Sequence, residues 1–224
     1  MMMDERLPLL AAAQSIYACA RGLFPRKSAR FLAPQLLPND AIALGNSLIF
    51  SDDQFGNLLK NGWGIPKMGG LLLSPCRSFC ILSCLWKIGN LYKVENGQRF
   101  APLLLGGSLE AICTYMNSHC EAGRVFESEK DSSIFIRIAE TGSEYFICYD
   151  SPIGWSLKHV QERISPSASL TFKSLGIAQK ASLGKLDFWL ALSMGDILLA
   201  GRIPMLEKFG YVARIAQREI PLPK

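Results

Sequence analysis

Histidine is almost missing from this chain, with 2 in 224 residues. His119 sits beside Cys120 and His159 stands alone, so neither completes a catalytic triad or a metal-ligand pattern, and a surface or capping role is expected. Also lacking are a glycine-rich phosphate loop, a nucleophile with its base and orienting group at a known spacing, and a paired-cysteine zinc motif. These gaps remove the signatures of the common enzyme classes; the chain is expected to be non-catalytic, with no cofactor and no metal. No run of lysine and arginine is dense enough to argue for nucleic acid. The oiliest window of the first half, Leu71 to Trp86, is interrupted by Pro75 and Arg77 and falls short of the ~20 predominantly apolar residues of a membrane span. A core helix is expected there, or an interfacial or partner-binding one. Met1 to Ala20 carries no evident apolar signal with a cleavage site, and 7 cysteines is an odd count, which favours a reducing, cytoplasmic setting over a secreted disulfide scaffold.

What is present is apolar surface and an uneven charge. A hydrophobic fraction of 49% excludes a chain disordered throughout, and the length suits one ordinary domain, or a small domain with a sizeable extension. Residues 1–105 hold 11 lysines and arginines against 6 acids, whereas residues 106–224 hold 13 against 13, so the whole net charge of +5 belongs to the first half. Two functional regions are expected, the first able to approach an anionic surface. Arg21, Arg26, Lys27 and Arg30 interleave with Phe24 and Phe31, a pattern that fits anionic lipid headgroups or, more plainly, a solvated helix end before the loop of Pro34 and Pro38. Cys76, Cys80 and Cys84 follow helical spacing and put three thiols on one face; buried small apolar residues are the expected reading, since zinc sites pair their cysteines on short loops.

Along the chain, Leu7 to Leu23 reads as a helix, and the glycines between residues 40 and 70 read as irregular connections and short helices, with Asp52 and Asp53 near a helix start. Asn96-Gly97 marks a turn. Gly106-Gly107 reads as a hinge between the halves, after which Ser108 caps a helix with Leu109, Ile112, Cys113, Met116 and Cys120 on its inner face, ended by Gly123. Strands are expected at Arg124–Ser128, Ile134–Ala139, Tyr145–Tyr149 and Ser169–Lys173, with a hairpin turn at Thr141-Gly142-Ser143. Trp155 to Ile164 has the pattern of an amphipathic helix or a loop with one helical turn, and Leu175 to Ala181 that of a helix. The last stretch, Ser182 to Gln217, reads helix, strand, helix. Its short first helix is apolar nearly all round, from Phe188 to Met194, and such a helix is expected to be covered on every side. The strand Ile197–Gly201 is oily on both faces, which fits burial on two sides or a ligand. Pro204 opens the last helix, whose apolar face is Leu206, Phe209, Val212, Ala213 and Ala216. Gly210 interrupts that helix, as a site of close approach or as a flexible joint.

Gly184-Lys185-Leu186-Asp187, then Ala191, then Gly195-Asp196-Ile197 and Gly201, in this order of elements, resemble the sterol carrier protein type 2 domain, over roughly residues 106–218. The sequence departs from that family at Arg202-Ile203-Pro204, where a glycine and an acidic residue are usual. The resemblance implies an α+β fold: a five-stranded, mainly antiparallel sheet with helices on one face. Residues 1–105 lie outside the resemblance and read from their own pattern as a mainly helical, basic N-terminal region preceding it. The resemblance also implies a hydrophobic tunnel between sheet and helices. On that reading residues 106–224 bind a fatty acyl, sterol, isoprenoid or phospholipid ligand without catalysis, and Phe188, Trp189, Leu192, Ile197, Leu199, Leu206, Phe209 and Val212 are the candidate tunnel residues. The competing expectation is a scaffold or partner-binding protein that docks on a membrane through its basic first half, cytoplasmic and peripheral.

Overall fold

A computed structural model describes residues 2–24, 32–38, 40–45, 47–62, 64–67, 69, 75–91, 98–158 and 165–220. Helix α1 (Met2–Leu23) is followed by three short strands, β1 (Pro34–Leu37), β2 (Ala41–Leu44) and β3 (Leu48–Ser51), which pair in order as an antiparallel meander. This small sheet replaces the irregular connections expected from the glycines. Its strands are four residues long and β2 is buried on both faces, so no alternation betrays it in the sequence. The guanidinium of Arg6 ties α1 to the sheet, donating to the carbonyls of Leu37 and Ala41 and pairing with Asp52 at 2.6 Å. Helix α2 (Asp52–Asn61) starts where Asp52 and Asp53 placed it: Ser51 accepts from the N–H of Gln54, and Gly62, at φ +70°, closes the helix.

Helix α3 (Pro75–Leu91) begins at the proline inside the oily window, because a first helical turn needs no N–H from it. Its buried stripe is Ser78, Ile81, Leu85, Ile88 and Leu91. The three cysteines lie off that stripe, and Cys76 and Cys80 are exposed, contrary to the expectation of buried thiols. Among the described residues no cluster of ligands could hold a metal, and no helix is long and apolar enough to cross a membrane. The basic segment of residues 25–31, the Asn96-Gly97 turn and His159 lie outside the described residues.

Helix α4 (Ala101–Ser118) organises the rest. Gly106 and Gly107 lie inside it and form no hinge; the line drawn between residues 105 and 106 cuts a continuous helix. Ser108 caps nothing, its hydroxyl instead donating to the carbonyl of Leu104. The tight contact of α4 with α1 explains Gly107: a Cβ there would lie 2.8 Å from Ser15 Oγ and 2.9 Å from Cys19 Sγ. Helix α5 (Cys120–Phe126) runs through Gly123 and occupies the stretch expected to be a strand, followed by a 3-10 turn at Glu127–Glu129. His119 caps α5, Nδ1 accepting from the N–H of Ala122, and stacks on Tyr115.

The main sheet comprises β4 (Ser133–Ile138), β5 (Ser143–Asp150), β6 (Gly154–Lys158), β7 (Ala168–Phe172) and β8 (Ile197–Gly201), in the order β6-β5-β4-β7-β8. The fold is α+β and the sheet is mixed: β4 pairs parallel with β7, and the other three pairings are antiparallel. Strand β6 stands where the Trp155 pattern read as a helix; only Trp155 of that strand is fully buried, and residues 159–164 lie outside the described residues. Ile134, Ile136 and Ile138 of β4 and Ala168, Leu170 and Phe172 of β7 line one face, in register, under helices α4, α6 (Leu175–Ser182) and α8 (Ile203–Glu219). The opposite face carries the Arg137–Glu144 pair. Leu7 and Ala11 of α1 enter this core, while Ala12, Ala13, Ile16, Cys19 and Ala20 enter a second one with β2, β3, α2 and α3. Burial pushes the Cys19 thiol up to about 12, which keeps it protonated and unreactive.

Candidate functional site

The stretch from Ser174 to Arg202 is assembled by local capping. Ser174 accepts from the N–H of Ile177 to start α6, and a left-handed Gly184 follows it. Asp187 Oδ1 then accepts from the N–H of Leu190 at 3.1 Å and starts the short helix α7 (Phe188–Ser193). A second left-handed glycine, Gly195, turns the chain, and the N–H of Asp196 returns to the carbonyl of Ala191. The chain then enters β8, the edge strand beside β7. Pro204 opens α8, which buries Met205, Leu206, Phe209, Val212, Ile215 and Ala216.

The eight candidate tunnel residues do not share one wall here. Ile197, Leu206, Phe209 and Val212 are buried in the main core. Leu199 and Leu192 are half-buried, whereas Phe188 and Trp189 are exposed. Helix α7 is not covered on every side: Ala191 alone is fully buried, and Trp189, Leu190 and Met194 are 72%, 56% and 66% exposed. A six-residue helix whose one buried residue is alanine has little with which to grip the core. Likewise β8 is not buried on two sides, since Leu198 and Ala200 point away from the helices at the open edge. Gly210 is not approached by a facing strand; a Cβ there would meet nothing within 4 Å. Arg21, named as a membrane-facing cation, is paired with Glu110 at 2.6 Å.

One residue that matters here escaped the sequence reading. Glu129, 3% exposed in its 3-10 turn, accepts from Lys208 Nζ of α8 at 2.7 Å, and Arg202 lies 3.2 Å from its other carboxylate oxygen. Arg202 also donates to Ser132 Oγ. The carboxylate thus holds the end of β8 and the first turns of α8 together, at the point where the sequence departs from the sterol carrier pattern. Nothing local announces a buried acid in Glu127-Ser128-Glu129; only the distance in sequence to its partners is bridged by folding. The hydrogen bond from Lys208 leads in holding its carboxyl below the usual range, against the opposing effect of burial. Glu129→Gln is expected to cost about 2 kcal/mol at neutral pH, less than a fully buried pair because both cations reach solvent. A depressed folded pKa adds stability above the ordinary glutamate value of 4.5 and loses it as pH falls through the folded value. Urea titrations of both proteins at neutral pH and well below that value should therefore show the gap close in acid; a gap that persists there would mean the carboxylate charge is not what holds α8.

A groove of about 510 Å3 lies at the opposite edge of the sheet, where Met116, His119, Cys120 and Arg124 face Tyr149 and Trp155, and none of the eight candidates lines it. Neither a family model nor a curated protein matches this chain. Among solved structures, the stereoselective inverting sec-alkylsulfatase of a Pseudomonas species is 12% identical, over 64% of this chain and 28% of the enzyme, with a TM-score of 0.28. The UbiJ-SCP2 ubiquinone synthesis protein is 11% identical, over 52% of this chain and 98% of its own, with a TM-score of 0.40. The chain is likewise similar to the sterol carrier protein domain 2 of Helicoverpa armigera, at 16% identity over 51% of this chain and 89% of that domain, with a TM-score of 0.41.

Proposed function

We propose that this protein binds a hydrophobic lipid and hands it on without acting on it chemically, residues 106–224 carrying the ligand and residues 1–105 buttressing them. The observation that carries the reading is where apolar surface is left over. Among the described residues, 10 large hydrophobic side chains are exposed, and six of them, Phe188, Trp189, Leu190, Met194, Leu198 and Ile203, fall within one short stretch. A packing core would have absorbed them; a scattered surface would have spread them.

In this reading α7 is a cover rather than part of the wall. Its slight attachment through Ala191 lets it swing away at low cost and bring Ile197, Leu199, Leu206 and Phe209 to an entering hydrocarbon chain. Each methylene moved out of water contributes about 0.8 kcal/mol, so a chain of a dozen outweighs the several kcal/mol of association without a polar anchor. The ligand class is fatty acyl, sterol, isoprenoid or phospholipid.

Native mass spectrometry of the purified protein, with melting curves in the presence of fatty acid, sterol, isoprenoid alcohol or short-chain phospholipid, tests the proposal. A ligand at a hundredfold excess over its Kd adds about 2.7 kcal/mol, which raises the midpoint by roughly 5 to 10 °C for a chain of this size. Absence of co-purified lipid, together with unmoved midpoints for all four ligand classes, would refute it.

A further inference from the structure

The exposed face of α7 is flanked by cations at both ends. Lys185 precedes the helix, and its N–H bonds to the carbonyl of Lys180 at 2.8 Å, so the backbones of both lysines meet at the entry side. At the exit, the N–H of Lys173 bonds to the carbonyl of Asp196 at 2.9 Å, placing a third lysine beside the turn that closes α7. All three are exposed, and none has an ion-pair partner among the described residues. Between residues 173 and 202 there is no glutamate; the acids are Asp196 and Asp187, and Asp187 already serves as the helix cap. Between those cations stand Trp189, Leu190 and Met194, with the Phe188 and Trp189 rings edge to face at 6.0 Å.

The size of the patch separates its two obvious occupants. Four such side chains at their observed exposures offer on the order of 450 Å2, roughly half of what each partner gives to a stable dimer. A bilayer asks less: a short apolar face sinking to the headgroup and acyl boundary, a tryptophan at that depth, and basic groups level with the phosphates. We propose that α7 is the surface by which this protein docks on an anionic lipid bilayer, Trp189, Leu190 and Met194 entering the boundary and Lys173, Lys180 and Lys185 meeting the phosphates. The proposal builds on the lipid-handling reading by naming where the cargo is collected, and it moves the contact away from Arg21, which Glu110 already occupies.

Flotation of the full chain with vesicles of phosphatidylcholine containing about a third phosphatidylglycerol is the test, with pure phosphatidylcholine as the neutral arm. Wild type is expected to float with the anionic vesicles, and the triple change Trp189→Ser, Leu190→Ser, Met194→Ser to lower partitioning at least tenfold. Each of Lys173→Gln, Lys180→Gln and Lys185→Gln should lower it about fivefold on anionic vesicles, with little change on neutral ones. Phe79→Ser with Trp86→Ser, on the exposed side of α3, should leave flotation unchanged. Because all the altered residues are exposed, circular dichroism and melting should match wild type. A wild type that stays at the bottom of the gradient, or a triple variant that floats as well as wild type, overturns the proposal. So does light scattering that finds a dimer which the triple variant abolishes. Melting shifts with dispersed ligand in vesicle-free buffer report the lipid reading separately: lost shifts with intact flotation sink that reading alone, and kept shifts without flotation sink the docking surface alone.

Discussion

Gly107→Val is expected to lower the melting midpoint by roughly 10 °C, because it drives a wedge between the two helices that join the protein's cores. At this point α4 presents no side chain to α1. A Cβ would lie 2.8 Å from Ser15 Oγ, 2.9 Å from Cys19 Sγ and 3.1 Å from the Ser15 carbonyl oxygen. A hydroxyl can rotate aside; a backbone oxygen in the middle of a helix cannot. Valine adds two methyl groups to this conflict, and overpacking of that kind costs about 3 kcal/mol or more. The loss should be cooperative, since α1 supplies Leu7 and Ala11 to the main core and Ala12, Ala13, Ile16, Cys19 and Ala20 to the other. Gly106→Ala is the matched control. Its Cβ meets the Tyr145 ring at 3.3 Å, a contact that a few tenths of an ångström relieves, and alanine favours the helix by up to about 1 kcal/mol. Urea unfolding of Gly107→Ala beside Gly106→Ala decides between a helix contact and a hinge: a hinge would suffer about equally from either change, whereas the contact predicts a clear loss at residue 107 and almost none at residue 106.

Gly201→Ala should be nearly as damaging, at about 3 kcal/mol, for a reason that belongs to the backbone. Gly201 ends β8 at φ +81°, a conformation that costs other residues about 1 kcal/mol or more. It also passes so close to the neighbouring strand that a Cβ would lie 2.4 Å from the Ser167 carbonyl oxygen and 3.0 Å from Ala168 Cα. That carbonyl accepts from the N–H of Arg202 at 2.9 Å, so moving it away breaks the bond that leads the chain into α8. Hydrogen exchange should then rise at Arg202 and through the first turn of α8 before it rises in β4. Gly195→Ala provides the comparison: φ is similar at +70°, but a Cβ there meets nothing within 4 Å, so only the conformational part of the cost remains. Equal losses from the two changes would show that the contact with Ser167 is unimportant.

The helices at Leu7 and Leu175 and the strands around Ile134, Tyr145 and Ser169 are legible in the sequence, because each writes its burial as a local period, whereas the α+β class follows from the resemblance carried by Gly184 to Gly201. Also legible is the last helix, whose proline start and three- and four-residue steps survive as the face containing Leu206, Phe209 and Val212. His119, isolated in the sequence, does cap a helix. The elements that were missed share a cause. Strands β1 to β3 are too short to show a period, and β6 alternates only weakly, with Trp155 alone fully buried. Gly106-Gly107 looked like a break because glycine is ambiguous until a neighbour is known, and that neighbour, α1, lies about ninety residues away in the chain.

The sequence by itself determined how much apolar side chain the closing stretch carries and where its caps fall, since both follow from residue type and nearest neighbours. Only the tertiary structure decided which of those side chains are consumed by the core and which are left outside. Phe209 and Trp189 read alike as oily helix residues, yet one is sealed in the main core and the other stands in solvent, because burial depends on what packs opposite. In the same way Glu129 is an ordinary acid until folding brings Lys208 and Arg202 to it across some seventy to eighty residues. Contacts of that span are properties of the fold, which no local pattern of residues can announce.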